Sequence, residues 1–305
     1  MSLARGGNPC PVRRGRKADT MPRNYRDELT GLLGCPVEEN PTGAVMEAAY
    51  RELGLRYRYV TMLVYLENLQ AAIAGLRAMN YRGVNLTIPH KVAVLPFLDS
   101  LTPAAEIIGA VNNITITEGH LRGENTDGKG MLRSLRQHGQ NPMGKAITIL
   151  GAGGASRAIA VECALAGAKN ITVINRNAGR GIELARLVSD RTPARCRYLP
   201  WEAGIGIPEG TDLLVNATSI GLYPDISARP DIDYGSITPG MAVCDVVFNP
   251  PDTPFLQAAR ERGAQAINGL GMLVNQAAVN FTLWTGREAP EELMANTLKA
   301  QFGPA

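Results

Sequence analysis

The 305 residues carry 31 Lys and Arg against 28 Asp and Glu, a net charge of +3, and 45% of them are hydrophobic. This composition is ordinary for a folded protein, and the length is sufficient for two domains. The chain has neither the continuous apolar core of a secretory signal nor an uncharged run long enough to span a membrane. We therefore expect a cytoplasmic protein without a nucleic-acid or membrane partner.

Much of the basic excess lies in residues 1–24, where glycine and proline recur without apolar periodicity. This stretch is predicted to be a flexible leader. The five cysteines, Cys10 among them, form no Cys-x-x-Cys pair, and the three histidines lack the helical spacing of metal ligands. We therefore expect neither disulfides nor a metal site.

Strand-like and helical patterns alternate over residues 27–125. Such alternation predicts an α/β domain with a mainly parallel sheet. The predicted elements are strands over residues 28–33, 57–66 and 84–87, helices over residues 43–53 and 69–79, and a linking helix over residues 128–138.

The pattern continues in the second half of the chain and predicts a doubly wound sheet of about six strands. Two further helices follow, which we expect to return and pack on the first domain, because a crevice between domains is stiffer with a two-way connection. The predicted strands cover residues 147–150, 171–174, 196–198, 213–216, 242–247 and 264–267; the predicted helices cover residues 158–168, 178–188, 255–262, 272–284 and 291–301.

A short β-branched run ends in the glycine-rich segment Gly151-Ala152-Gly153-Gly154-Ala155, and a helical stretch follows. Glycine lets the backbone approach a pyrophosphate, whose charge then lies on the N–H groups at the helix start. The next strand ends in Asn175-Arg176, where an NAD enzyme would usually have an acid. Because Arg176 and Arg180 suit a 2′-phosphate, we predict NADP as the cofactor, with NAD possible as well.

Lys91 and Asp127 are candidates for the proton chemistry of a hydride transfer. Lys91 follows a predicted strand, and Asp127 begins the linking helix. A lysine held by a carboxylate can donate the proton that a reduced carbonyl oxygen requires, or orient its donor. From spacing alone, a lysine and an aspartate this far apart are more often surface charges.

At these residues the chain resembles the shikimate dehydrogenase family, and matching motifs follow one another in the family's order over nearly everything after residue 27. The matching segments are Asn85-Leu86-Thr87-Ile88-Pro89-His90-Lys91, Gly109-Ala110-Val111-Asn112-Asn113, Asn125-Thr126-Asp127-Gly128, the glycine-rich segment, Asn175-Arg176, Asn216-Ala217-Thr218-Ser219-Ile220-Gly221, and Gly269-Leu270-Gly271-Met272-Leu273-Val274-Asn275-Gln276-Ala277-Ala278.

The resemblance implies a substrate domain over residues 25–125 and 273–305, and a Rossmann domain for NADP over residues 126–272. It also implies that the substrate is a cyclic polyol acid. Because the sequence contains no obvious coiled coil or repeat, we expect a monomer or a homodimer. The implied catalytic residues are Lys91 and Asp127; the implied substrate residues are Asn40, Thr42, Thr87, Asn112, Phe248 and Gln276; the implied cofactor residues are Gly151, Ala152, Gly153, Gly154, Ala155, Asn175, Arg176, Arg180, Thr218, Val246, Gly269 and Met272.

The chain departs from the family where the substrate carboxylate is usually held by two serines of a Ser-x-Ser-Pro segment. Asn40 and Thr42 stand at the serine positions, and Glu38 and Glu39 bring negative charge nearby. Amide and hydroxyl groups can still donate to a carboxylate, whereas a glutamate facing the pocket would repel it. Phe248 replaces a common tyrosine and so removes a hydroxyl.

Asn177 replaces a common threonine after Asn175-Arg176. Lys91 and Asp127 match the family, whereas the segment that binds the substrate carboxylate does not. The sequence therefore predicts reversible NADP-dependent reduction of 3-dehydroshikimate to shikimate, a step of aromatic amino acid biosynthesis, with weak activity. The alternative is a related dehydrogenase for quinate or another cyclic polyol, including one with an amine or without a carboxylate. A third hypothesis is an NADP-binding sensor without turnover, which the intact Lys91 and Asp127 disfavour.

Overall fold

The computed structural model describes residues 25–38 and 40–301 and contains two six-stranded sheets. The predicted leader over residues 1–24, with Cys10, lies outside the described residues, as does Glu39. In the described part of the chain, no helix combines the length and the apolar character needed to cross a membrane. The same residues contain no group of three or more His, Cys, Asp or Glu placed to hold a metal ion.

The first sheet is built from the N-terminal part of the chain. Its strands are β1 (Glu28–Gly34), β2 (Tyr57–Leu63), β3 (Gly83–Leu86), β4 (Ser100–Leu101), β5 (Asn113–Thr117) and β6 (His120–Glu124). They lie in the order β2-β1-β3-β5-β6-β4. The strand pairs β1–β2, β1–β3 and β4–β6 are parallel, and β5 is antiparallel to β3 and β6. The predicted mainly parallel sheet is thus confirmed, with an added hairpin of β5 and β6.

The predicted strand over residues 57–66 is too long. β2 ends at Leu63, and a 3₁₀ turn follows at Leu66–Asn68. The reason is that β2 pairs only with β1, whose last residue Gly34 lies opposite Leu63. The backbone N–H of Val64 still donates to the carbonyl of Gly34 at 3.0 Å, but β1 ends there, so within residues 25–38 and 40–301 β2 has no further partner strand. The helices beside this sheet are α1 (Thr42–Glu52), α2 (Leu69–Ala78), α3 (His90–Ala93) and α4 (Pro103–Ile108).

The second sheet confirms the predicted doubly wound arrangement. Its strands are β7 (Ala146–Leu150), β8 (Asn170–Asn175), β9 (Arg195–Pro200), β11 (Leu213–Asn216), β13 (Ala242–Asp245) and β14 (Gln265–Ile267), while β10 (Ile205–Gly206) pairs apart with β12 (Ile232–Asp233). The order is β14-β13-β11-β7-β8-β9, and every neighbouring pair is parallel. The strand order reverses between β7 and β11, which is where such sheets bind ligands.

Helices cover this sheet and connect it to the first. They are α5 (Asp127–Gln137), α6 (Gly154–Leu165), α7 (Ala178–Arg191) and α8 (Pro254–Glu261). The helix predicted over residues 158–168 begins earlier, at Gly154, and ends at Leu165, before Gly167 at a φ of 94°. A residue at positive φ ends a helix readily, and glycine adopts that conformation without steric cost.

The last two helices, α9 (Leu270–Thr285) and α10 (Glu291–Gln301), pack against the first sheet's α1. The rings of Tyr50 on α1 and Phe281 on α9 are stacked with centroids 5.4 Å apart. At its other end α9 meets α5, where Met272 joins the apolar core of the second sheet. The helix α9 thus bridges both sheets and carries Gln276 between them. The cluster around α1, α9 and α10 includes Met46, Tyr50, Phe281, Trp284, Met294 and Leu298.

Candidate active site

The two predicted catalytic residues lie together although 36 positions separate them in the chain. Lys91 lies in α3, just after β3, and Asp127 is the first residue of α5. Lys91 Nζ donates to Asp127 Oδ2 across 2.7 Å. The side chains are 33% and 18% exposed, so this ion pair is partly shielded from water. The structure thus brings Lys91 and Asp127 into contact, which their spacing alone does not indicate.

Asn112 holds the carboxylate of Asp127 from the other side. Its Nδ2 donates to Asp127 Oδ1 across 2.7 Å, and its Oδ1 accepts from the backbone N–H of Thr126 at 2.7 Å. Asn125 Oδ1 accepts from the backbone N–H of Asp127 at 3.2 Å. The start of α5 is therefore tied to two buried asparagines, and the carboxylate has a defined orientation.

A cavity of about 570 Å³ opens at this pair. A cavity of this volume is suited to a small molecule. It brings together every residue that the sequence analysis assigned to catalysis or substrate. Its walls are Leu32, Pro36, Val37, Glu38, Asn40, Pro41, Thr42, Asn85, Leu86, Thr87, Lys91, Asn112, Asp127, Phe248, Leu273 and Gln276.

Asn85 also lines the cavity, a placement that the sequence alone did not indicate. Its Oδ1 accepts from the Tyr59 hydroxyl at 3.0 Å, and its Nδ2 donates to the carbonyl of Asn112 at 3.2 Å. Asn85 therefore connects the wall of the cavity to the loop that carries Asn112. The sequence feature that could have indicated this placement is its position near the end of β3, in the same motif as Thr87 and Lys91.

Gln276 is set in a chain of amides. Its Oε1 accepts from Asn280 Nδ2 at 3.1 Å, and Asn280 Oδ1 accepts from Asn113 Nδ2 at 2.8 Å. This fixes the amide orientation of Gln276, whose Nε2 has no hydrogen bond among residues 25–38 and 40–301. Phe248 lines the same cavity and packs against the apolar cluster around α1, α9 and α10.

The segment that replaces the two serines forms one wall of the cavity. Asn40 Oδ1 accepts from the backbone N–H of Thr42 at 3.0 Å. Glu38 Oε2 accepts from the backbone N–H of Val37 at 2.9 Å. Hydrogen bonds from the backbone of Glu38 itself and of Val37 lower the pKa of the Glu38 carboxyl, so this side chain is an anion at neutral pH. Of the two predicted glutamates, Glu38 is thus a cavity residue.

The glycine-rich segment follows β7 at the point where the strand order reverses. Gly151 has a φ of 105°, and Cβ atoms added to Gly153 and Gly154 would meet nothing within 4 Å. The N-terminus of α6 has no side-chain cap. The space beside these glycines leaves room for a ligand, and the first N–H groups of an uncapped helix suit a pyrophosphate. This part of the chain therefore fits the predicted dinucleotide.

Arg176 and Arg180 are exposed beside the end of β8. Neither belongs to an ion pair within the described ranges, so both guanidinium groups fit a phosphate. Asn175 Nδ2 donates to the carbonyl of Asn177 at 2.8 Å. Asn177 Oδ1 accepts from the backbone N–H of Arg180 at 3.0 Å, so this departure from the family motif caps α7.

The residues predicted near the nicotinamide lie on neighbouring loops of the second sheet. A Cβ on Gly269 would lie 2.6 Å from the carbonyl oxygen of Val246, so a glycine is needed for these two segments to approach so closely. Thr218 donates its hydroxyl to Asn216 Oδ1 at 2.7 Å. Met272 lies in the first turn of α9, beside the same loops.

Asp245 is a buried acid that the sequence analysis did not single out. Its Oδ1 accepts from Asn216 Nδ2 at 3.0 Å, and its Oδ2 accepts from the Thr253 hydroxyl at 2.7 Å. Burial raises the pKa of Asp245 to about 6, although its hydrogen bonds lower it. Asp245, the last residue of β13, thus joins the end of β11 to Thr253, the residue before α8. The sequence feature that could have indicated this buried site is a single acid in an otherwise apolar strand.

Comparisons with known proteins identify the family of this chain. The model of the shikimate dehydrogenase substrate binding domain matches residues 32–114, and that of the shikimate 5′-dehydrogenase C-terminal domain matches residues 269–299. A shikimate dehydrogenase (NADP(+)) of Desulforamulus reducens is 43% identical over 91% of this chain and 97% of its own length.

Two solved structures resemble this one over nearly their whole length. The ligand-free 5-ketofructose reductase of Gluconobacter sp. strain CHM43 is 46% identical with a TM-score of 0.88, covering 91% of this chain and 99% of its own. The shikimate 5-dehydrogenase of Listeria monocytogenes, in complex with shikimate and NAD, is 33% identical with a TM-score of 0.85. This match covers 92% of this chain and 99% of the other. The resemblance found in the sequence is thus confirmed, and the chain belongs to the shikimate dehydrogenase family.

Proposed function

We propose that this protein catalyses the reversible, NADP-dependent reduction of a ketone on a small polyhydroxylated molecule, as 3-dehydroshikimate is reduced to shikimate. The observation that carries the proposal is the pair of Lys91 and Asp127, joined at 2.7 Å inside a cavity of about 570 Å³. Family membership supports the same reaction, and the Desulforamulus reducens relative is named for both shikimate and NADP(+).

In this mechanism the bound NADPH supplies a hydride to the carbonyl carbon. Lys91 donates a proton from Nζ to the carbonyl oxygen, so that ketone, hydride and proton give the alcohol. Asp127 keeps Nζ in position through Oδ2, and Asn112 prevents the carboxylate from rotating through its bond to Oδ1. In the reverse direction the same lysine accepts the proton of the substrate hydroxyl.

The substrate hydroxyls are held by Thr87, Asn112 and Gln276, which line the cavity around the pair. The fixed amide of Gln276 offers Nε2 as a donor, because its Oε1 is engaged by Asn280. Asn40 and Thr42 hold the part of the substrate that faces the segment after β1. Residues 25–125 and 273–305 form the substrate domain in this proposal, and residues 126–272 bind the dinucleotide.

The cofactor residues follow from the second sheet. Backbone N–H groups of the segment from Gly151 to Ala155 hold the pyrophosphate, while Asn175, Arg176 and Arg180 hold the adenosine end with its 2′-phosphate. The nicotinamide end contacts Thr218, Val246, Gly269 and Met272.

A second candidate substrate is 5-ketofructose, an uncharged ketose. It is favoured by the replacement of both serines in the segment after β1 and by the 46% identity to the Gluconobacter 5-ketofructose reductase. The same pair, Lys91 and Asp127, would reduce its ketone. The chemistry is therefore common to both candidates, and only the recognition of the remaining groups differs.

Initial-rate measurements test the proposal. NADPH or NADH is offered with 3-dehydroshikimate, 3-dehydroquinate or 5-ketofructose, and absorbance of the reduced nicotinamide is followed. We expect NADPH-linked turnover of at least one of these ketones and slower turnover with NADH. NADPH binding without oxidation by any of them would overturn the proposal in favour of a binding protein.

A further inference from the structure

The charged groups that line the cavity are few. Among residues 25–38 and 40–301 they are Glu38, Lys91 and Asp127. Lys91 is paired with Asp127 at 2.7 Å, so the pair as a whole carries no net charge. The remaining charge of the cavity wall is the carboxylate of Glu38. Among the residues that the structure describes, the wall that a substrate meets thus carries one unpaired anion and no unpaired cation.

The other polar groups in the segment after β1 do not compensate for this charge. Asn40 uses its Oδ1 to accept from Thr42, which leaves its amide N–H groups to donate. The Thr42 hydroxyl can either donate or accept. Both side chains can therefore bind an alcohol as readily as a carboxylate, and neither contributes a full positive charge. Within this segment, Glu38 is therefore the described residue whose charge can discriminate between an alcohol and a carboxylate ligand.

Glu38 is also held close to the wall. Its Oε2 accepts from the backbone N–H of Val37 at 2.9 Å, and Val37 is buried. The carboxylate is therefore positioned by the loop that it belongs to. The Glu38 side chain is exposed, so water and salt screen its repulsion of an anionic ligand, which is strongest when salt is low.

We infer that Glu38 is a specificity-determining residue, which makes this cavity favour polyhydroxylated ketones and alcohols without a carboxylate over their carboxylate analogues. The inference rests on the proposed function and narrows its substrate class. It predicts that shikimate is a poor substrate because of its charge, and that its uncharged methyl ester, with the same ring and hydroxyls, is a better one.

The test compares shikimate with methyl shikimate as substrates for NADP⁺ reduction by the wild type and by Glu38→Gln. Glutamine keeps an oxygen that can accept from Val37, so the loop is preserved. We expect Glu38→Gln to raise kcat/KM for shikimate by about threefold to tenfold and to change that for the ester by less than about twofold. The control is Glu261→Gln, which alters an exposed glutamate on α8 away from the cavity wall.

Binding to the NADP⁺-loaded protein, measured by calorimetry, separates this inference from the proposed function. A preference for the ester that disappears in Glu38→Gln and weakens at high salt supports the inference even if neither compound is oxidised. Equal affinity of the wild type for acid and ester, or no binding of the ester, overturns it. Turnover that responds equally to Glu38→Gln with both substrates also overturns it, while leaving the proposed reaction intact.

Discussion

Asn112 and Asp127 are joined by a hydrogen bond of 2.7 Å from Nδ2 to Oδ1. The other oxygen of the carboxylate accepts from Lys91, also at 2.7 Å. Because Asn112 also accepts from the backbone N–H of Thr126, it ties both the carboxylate and the first turn of its helix to the first sheet. The position of Lys91 Nζ thus depends on an asparagine far from it in sequence.

Replacing Lys91 with alanine tests its role as the proton donor. Loss of a general acid slows the chemical step by about 100-fold to 10,000-fold. The side chain is 33% exposed and lines the cavity, so its truncation widens an existing cavity rather than opening a new one in the core. We expect kcat to fall by that factor, while the Kd of NADPH, measured by fluorescence, and the melting temperature remain close to the wild-type values.

The matched control is Lys169→Ala, since Lys169 is exposed and lies outside the cavity. It should retain the wild-type kcat. A Lys91→Ala protein that still turns over at more than about one-tenth of the wild-type rate would show that another group supplies the proton.

Arg176→Asp tests the proposed clamp on the 2′-phosphate. Arg176 is exposed at the end of β8. A charge-assisted hydrogen bond contributes about 1.5 to 3 kcal/mol, which is about 10-fold to 100-fold in affinity. We expect the Kd of NADP⁺ to rise by at least that factor, and the Kd of NAD⁺, which lacks the phosphate, to change by less than about threefold. Equal weakening of both dinucleotides would contradict the assignment.

The second sheet could be predicted almost entirely from the sequence for a physical reason. Its strands are covered by helices on both faces, so they read as continuous apolar runs such as Leu213–Asn216. The cavity could also be predicted, because its residues lie in motifs at strand ends, where the fold must bring loops together. The pairing of Lys91 with Asp127 required the resemblance, since spacing alone does not reveal a contact between distant elements.

The hairpin of β5 and β6 could not be predicted in the same way. Its turn is formed by Glu118 and Gly119 at φ values of 51° and 80°. Both values are positive, as in the turns that join twisted strands, but such turns usually have asparagine or aspartate at the first position. A glutamate there gives no turn signal. Asp245 was missed because its partners, Asn216 and Thr253, come from other segments.

Asp245→Asn tests how this buried acid affects stability. The folded-state pKa of Asp245 is raised from 3.8 to about 6, so between these values the folded protein binds more protons than the unfolded chain. Its contribution to stability is therefore fully present below about pH 4 and is lost as the pH rises to about 6. At 1.36 kcal/mol per pKa unit, the loss is about 3 kcal/mol.

Asparagine keeps the shape of Asp245 and cannot ionise. We expect the difference in unfolding free energy between Asp245→Asn and the wild type to increase by up to about 3 kcal/mol from pH 4 to pH 7, measured by urea denaturation. Asp190→Asn, at an exposed position on α7, is the control and should follow the wild type. A difference that does not depend on pH would show that Asp245 does not titrate in this range.

Gly130→Ala tests the contact that carries Gln276 into the cavity. A Cβ on Gly130 would lie 2.5 Å from the carbonyl oxygen of Met272 and 2.8 Å from the backbone nitrogen of Gln276. Because both contacts are backbone atoms of α9, α5 and α9 must separate to accommodate the methyl group. Overpacking of this kind costs about 1 to 3 kcal/mol of stability.

The displacement of α9 should also move the Gln276 amide away from the substrate, so we expect the KM of the preferred substrate to rise more than kcat falls. Gly75→Ala in α2 is the control, since its nearest neighbour would be the methyl carbon of Met79 at 3.7 Å. That change should leave KM unaltered and stabilise the protein by up to about 1 kcal/mol, because alanine loses less chain entropy than glycine on folding. If Gly130→Ala lowers stability without raising KM, Gln276 does not hold the substrate.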